Sequence, residues 1–163
     1  NKTPGPGGRT CSTTQLGEIP DITSMPSTLI LEPKNGQVMG AGKPFDIKFL
    51  VTNMDLGNFD DPNTEYNSFG QQLTREGLIK GHSHVTIQDL GDGKRPPNAE
   101  SVDFFLGVNQ EDNNGLLTVN VPNGLKPGLK RLCTMSGSFS HQPLVMPVAQ
   151  RGSQDDCIRL FVK

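Results

Sequence analysis

Gly81-His82-Ser83-His84-Val85-Thr86-Ile87-Gln88 has the two-residue period of a β-strand. Val85 and Ile87 fall on one face, and His82 and His84 fall on the other. The stretch holds two of the chain's three histidines. Two imidazoles at alternate strand positions can reach one metal ion, which gives His-x-His a chemical meaning. The third, His141, sits in Ser138-Phe139-Ser140-His141-Gln142-Pro143, which reads as a loop.

The sequence around this strand supplies the rest of a sheet. Thr28-Leu29-Ile30-Leu31 is a short strand, stopped by Pro33 and turned by Asn35-Gly36. Phe45, Ile47, Phe49 and Val51 alternate with Asp46, Lys48, Leu50 and Thr52, the clearest strand of the chain. Gly91-Asp92-Gly93 turns the histidine strand, and Val102 to Leu106 begins another. Asn113-Asn114-Gly115 is a hairpin-type turn before the alternation of Leu117, Val119 and Val121. Leu125-Lys126-Pro127-Gly128 makes a corner into Leu129 to Cys133, and Cys157 to Val162 closes the sheet.

Residues 53–76 and 136–156 read as long loops, the first with room for one helical turn. Asp60-Asp61-Pro62-Asn63 lacks the spaced ligand set of a calcium loop. Pro4-Gly5-Pro6-Gly7-Gly8, Pro20 and Pro26 mark residues 1–28 as an extended arm. Short strands, turn signals between them and no helical period predict an all-β chain. The expected fold is an immunoglobulin-like β-sandwich of about seven or eight strands over residues 29–163.

Composition narrows the function classes. The 163 residues suit one domain, and Gly 19 with Pro 13 suits many short strands and turns. The net charge is −2, and no Lys/Arg run exceeds two residues, so nucleic-acid binding is not expected. No apolar stretch nears the roughly 20 residues of a transmembrane helix. Trp is absent and Tyr66 is the only Tyr, which argues against an aromatic sugar-stacking platform. Phe104-Phe105 reads as core packing.

Asn1 without a preceding Met, the Asn1-Lys2-Thr3 glycosylation sequon and three cysteines point to a secreted glycoprotein. Cys11, Cys133 and Cys157 leave three pairings open. Cys133 with Cys157 is preferred, because both lie in strands flanking one long loop.

Three blocks carry a family resemblance. They are Gly81 to Gln88, Arg131-Leu132-Cys133-Thr134-Met135-Ser136-Gly137-Ser138-Phe139, and the run His141-Gln142-Pro143-Leu144-Val145-Met146-Pro147-Val148-Ala149-Gln150-Arg151-Gly152-Ser153-Gln154-Asp155-Asp156-Cys157. They resemble a family of small secreted fungal proteins of largely unknown function. Some members carry a ribosomal-protein label that the sequence pI of 5.9 and the cysteines here do not fit. The resemblance implies secretion and a fungal source, and brings no reaction with it. The Gly-His-x-His strand and the late His-x-Pro are also similar to those of bacterial immunoglobulin-like domains.

Neutral imidazole suits zinc and copper, and three histidines with an open position form the ligand set of some zinc sites. His82, His84 and His141 are therefore the candidate metal ligands. Arg151, Gln154, Asp155 and Asp156 form a polar loop able to orient those ligands or to bind a partner, with Arg151 pairing Asp155 or Asp156 as the self-bonded alternative. Ser83 cannot use its strand neighbours as a base, because adjacent residues point to opposite faces. Glu65, Asp103, Asp155 and Asp156 are the carboxylates available for glycoside chemistry.

The sequence thus predicts a secreted extracellular or cell-surface binding protein holding zinc or copper. Its expected partner is a cell-wall polysaccharide or another surface protein. The alternatives are a metal-dependent enzyme acting on cell-wall or host polymers, and a carbohydrate-binding or structural cell-wall module without metal.

Overall fold

The alternation of Phe45 to Thr52 is an alternation of burial: Ile47, Phe49 and Val51 are inside, and Asp46 and Thr52 are in solvent. The computed structural model describes residues 8–110 and 114–163. Within them nine strands form two sheets: β1 (Ser27–Glu32), β2 (Val38–Met39), β3 (Phe45–Thr52), β4 (Met54–Asp55), β5 (Ile79–Asp89), β6 (Phe104–Val108), β7 (Leu116–Val121), β8 (Gly128–Ser138) and β9 (Cys157–Val162). The one α-helix among the described residues is α1 (Pro62–Glu65). Asp61 caps it by accepting from the Asn63 backbone N–H, and Pro62 opens it. No helix of the described residues is long and apolar enough to cross a membrane.

The smaller sheet is antiparallel in the order β1-β3-β7. The larger runs β2-β9-β8-β5, and β4 and β6 share the outer edge of β5. The fold is an immunoglobulin-like β-sandwich. Ile47, Phe49, Leu117 and Val119 from one sheet meet Ile79, Val85, Ile87, Leu132 and Leu160 from the other. Each such side chain contributes about 1.5–3 kcal/mol by leaving water, before entropy is charged.

Two strands were not legible, because β2 and β4 have two residues each and carry no period. β6 starts at Phe104 rather than Val102, since the Asp103 carboxylate is drawn to Lys130. β8 extends through Ser138, into the stretch expected to be loop. Lys130 is buried, with Nζ 2.5 Å from Asp89 and 2.7 Å from Asp103. Burial pulls its ammonium down, but hydrogen bonds to Asp103 and Asp89 outweigh that and hold its pKa above the usual lysine value. The sequon at Asn1, the residues Pro4 to Gly7 and Asn113 lie outside the described residues.

Phe49 is fully buried at the centre of the smaller sheet. Phe49→Ala should lower the unfolding free energy by about 3–5 kcal/mol in a urea titration. Leu29→Ala, at an exposed position of β1, should change it by less than about 0.5 kcal/mol.

Candidate metal centre

The outer face of β5 carries the histidines. His82 and His84 point the same way, as the period requires, and their ring centroids are 4.6 Å apart. That face is roofed, and His82 has no exposed surface at all. The 56–71 segment crosses over β5 and is stitched to the turn after β8. Asp60 N–H donates to the Phe139 carbonyl at 2.8 Å, and Asn67 N–H donates to the Ser140 carbonyl at 2.8 Å. The Ser140 hydroxyl donates to the Phe69 carbonyl at 2.5 Å. Gln71, almost fully buried, ties residue 18 to residues 142 and 145.

The turn from Ser138 to His141 closes with His141 N–H donating to the Ser138 carbonyl at 2.9 Å. It leaves His141 at φ 67°, a left-handed conformation that costs a non-glycine residue about 1–2 kcal/mol. That conformation aims the ring back at the strand, and the His82 and His141 centroids are 4.5 Å apart. One ring nitrogen from each of the three histidines lies within 4.8 Å of the others.

Backbone carbonyls fix the protonation of all three rings. His82 Nδ1 lies 3.1 Å from the Asn58 carbonyl, His84 Nδ1 2.9 Å from the Met135 carbonyl, and His141 Nε2 2.8 Å from the Asp60 carbonyl. A carbonyl can only accept, so each of these nitrogens carries the proton. The bare lone pairs are then His82 Nε2, His84 Nε2 and His141 Nδ1. Two of them, His82 Nε2 and His141 Nδ1, face each other at 3.0 Å. In neutral rings no proton stands between them. A cation held between them would remove that repulsion. Nitrogens bound to zinc at about 2.0–2.1 Å in a tetrahedral arrangement sit about 3.4 Å apart, so separations of up to 4.8 Å would have to close by about 1.4 Å at most.

Burial holds His82 down to a pKa of about 4, aided by the nearby charges of His84 and His141 and opposed by the Asn58 carbonyl. Burial also lowers His84, against the pull of the Met135 carbonyl and Asp155. Rings kept neutral are rings kept fit for a metal. Gly81 matters beside them: a Cβ there would fall 2.1 Å from the Gly137 carbonyl oxygen and 2.4 Å from Met54 Cε. Gly107, opposite His84 in β6, leaves the Nε2 side of that ring clear.

His84 and His141 line a cleft of about 340 Å³ together with Tyr66, Phe105, Gln154 and Asp155. Asp155 Oδ1 accepts from Ser136 N–H, Ser136 Oγ and Thr134 Oγ1 at 2.9–3.1 Å. The four residues expected to act together separate here. Gln154 and Asp155 reach the cleft. Asp156 Oδ2 instead accepts from Ile30 N–H at 2.8 Å, tying the loop to β1. Arg151 donates to the Val148 carbonyl and pairs with neither aspartate, so the self-bonded salt bridge is not formed. Cys133 and Cys157 form a disulfide, and Cys11 is free and exposed. Asp103 is taken up by Lys130.

Sequence patterning missed the three carbonyls, because every residue has one and no side-chain pattern marks them. It also missed the aromatic residues against the imidazoles. Phe59 lies edge-on to His82 with centroids 6.1 Å apart, Tyr66 lies 6.0 Å from His141, and Phe105 stacks on His84 at 5.4 Å. Of the pair assigned to the core, Phe104 packs there and Phe105 does not.

A family model described as the CLU5d N-terminal domain matches residues 28–163. The "Pathogenicity cluster 5 protein d" of Colletotrichum graminicola is 41% identical over 156 residues, 93% of this chain and 33% of that protein. The chain thus spans about a third of the length of that curated relative. Among solved structures, the fibronectin(III)-like modules of Clostridium thermocellum CbhA align with a TM-score of 0.42 at 9% identity, covering 85% of this chain and 46% of theirs. A β-glucosidase from Listeria innocua in complex with isofagomine gives 0.34 at 11% identity, over 84% and 16%.

The His82 shift sets a pH dependence. A folded-state pKa lowered from 6.5 to about 4 means that neutral His82 adds stability above pH 6.5, lost as the pH falls toward 4. The metal-free protein should lose about 3 kcal/mol between pH 7 and pH 4. The carboxylate of Asp89 is held below its usual range by its hydrogen bond to Lys130, which leaves His82 as the group whose shift sets this window. Urea midpoints measured with chelator present across that range check this, and a flat profile would contradict it.

Proposed function

The chain belongs to the CLU5d N-terminal domain family, and on that footing we propose that it is a secreted fungal binding module holding a transition metal on His82, His84 and His141. The observation that carries the proposal is that one ring nitrogen from each of the three histidines lies within 4.8 Å of the others, while each ring also has a nitrogen beside a backbone carbonyl. Such outer contacts fix the tautomer and orientation of a metal-ligating imidazole. All-imidazole donors suit zinc or copper. Three protein ligands leave a coordination position open, and the adjoining cleft gives it access to solvent.

The Cys133–Cys157 disulfide supports an extracellular setting, since such bonds persist in oxidising compartments. The named relative being a fungal pathogenicity-cluster protein supports a fungal source and a part in pathogenicity. A second reading is favoured by Asp155. A carboxylate lining the cleft beside an open metal position is the arrangement of a metal-dependent hydrolase acting on a cell-wall or host polymer.

Purified protein loaded with Zn(II) or Cu(II) should retain about one equivalent after desalting, measured by elemental analysis. His84→Ala and His141→Ala should each abolish that retention while leaving the far-ultraviolet spectrum unchanged. At a metal concentration 100-fold above its Kd the unfolding free energy should rise by about 2.7 kcal/mol. Lack of stoichiometric metal after loading, or unchanged retention in His141→Ala, would remove the metal centre. Polymer hydrolysis lost in both Asp155→Asn and His141→Ala would favour the hydrolase.

A further inference from the structure

We propose that Tyr66 and Phe105, the aromatic rings lining the cleft beside the histidines, form a platform for a neutral polysaccharide. The proposal deepens the binding role above by naming its ligand class, and it stands whether or not a metal occupies the histidines. Each imidazole has one aromatic neighbour: Phe59 on His82, Tyr66 on His141 and Phe105 on His84. All three are substantially in solvent, at 45%, 38% and 51% exposure. They come from three separate places, the segment after β4, the end of α1 and the middle of β6. Tyr66 and Phe105 meet in the cleft that His84 and His141 line, a product of the fold and not of local sequence, while Phe59 flanks His82 outside that lining.

The chemistry of the cleft selects the ligand. Phe105, Tyr66 and Met135 give it apolar walls, and Gln154 and Asp155 give it hydrogen-bonding groups. Apart from the histidines, Asp155 is the charged residue in its described lining, and without a metal it repels an anionic ligand; a dication on the neutral imidazoles would offset that single carboxylate, and neither state gives the basic groups that hold a polyanion. A pyranose ring offers both faces of this pattern, C–H groups for stacking on an aromatic ring and hydroxyls for an amide or carboxylate. At about 340 Å³ the cleft lies near the lower end of small-ligand sites, which suits one or two sugar units of a longer chain lying across it. The absence of Trp and the single Tyr pointed away from such a platform, but phenylalanine takes their place here.

The test is a partition experiment with the full chain on insoluble cellulose, chitin and β-1,3-glucan, with polygalacturonate as the acidic control. Wild-type protein should be retained on at least one neutral polymer. The Tyr66→Ala/Phe105→Ala double variant should lose about tenfold in partition coefficient, with an unchanged urea midpoint and unchanged metal content. Tyr66→Phe/Phe105→Tyr, which keeps both rings, should bind like wild type. No retention on any neutral polymer, retention undiminished in the double alanine variant, or retention on polygalacturonate alone would overturn the proposal. Metal content measured in the same preparations reads the metal centre separately. Wild-type protein that holds no metal after loading yet still partitions onto the polymer would remove that centre and leave the platform standing.

Discussion

The antiparallel pairing of β5 with β8 is the constraint on which the site rests. Nine residue pairs, from Gly81 with Ser138 to Asp89 with Lys130, run without a break in register. At one end this ladder presents His82 and His84, and β8 leads directly into the turn that carries His141. At the other end it places Lys130 between Asp89 and Asp103. Two ligands on a strand and a third one turn beyond its partner strand is a rigid arrangement, since sites built on sheets are held more firmly than sites built on free loops. The remaining freedom belongs to the turn, and hydrogen bonds from the 56–71 segment take most of it away.

The fold was legible where a period ran long enough to record a face. β3, β7 and β9 alternate cleanly between buried and exposed, and their sequences say so. β5 is different, being buried through most of its length on both faces. Its apolar face was visible in Val85 and Ile87, but nothing in His82, Thr86 or Gln88 announces burial. Each is satisfied or covered by chain from distant sequence, as when Gln88 donates to the carbonyls of Asn98 and Ser101. Polar residues that are buried through remote partners leave no local pattern to read.

The candidate site was legible by the same measure. Alternate histidines on a strand are a local signal, and a third histidine in a loop after the partner strand is a topological one. The aromatic neighbours are neither. Phe59 and Tyr66 lie in an aperiodic stretch, and Phe105 sits beside a true core residue in a strand whose outer face turns toward the cleft. The loop from Gln150 to Asp156 looked like a single functional unit because its polar residues are consecutive. In space they diverge, with Asp155 facing β8, Asp156 reaching β1 and Arg151 folding onto its own loop.

The bare backbone at Gly81 has a consequence for how the sheet assembles. A slip of β5 along β8 by one residue would swap its two faces, and a slip by two would keep them. In the alignment the strands adopt, a side chain at this position would press against the Gly137 oxygen, where only hydrogen fits. Gly81 is therefore the tooth filed down so that the two longest strands can mesh in the alignment that sets both strand imidazoles beneath the His141 ring.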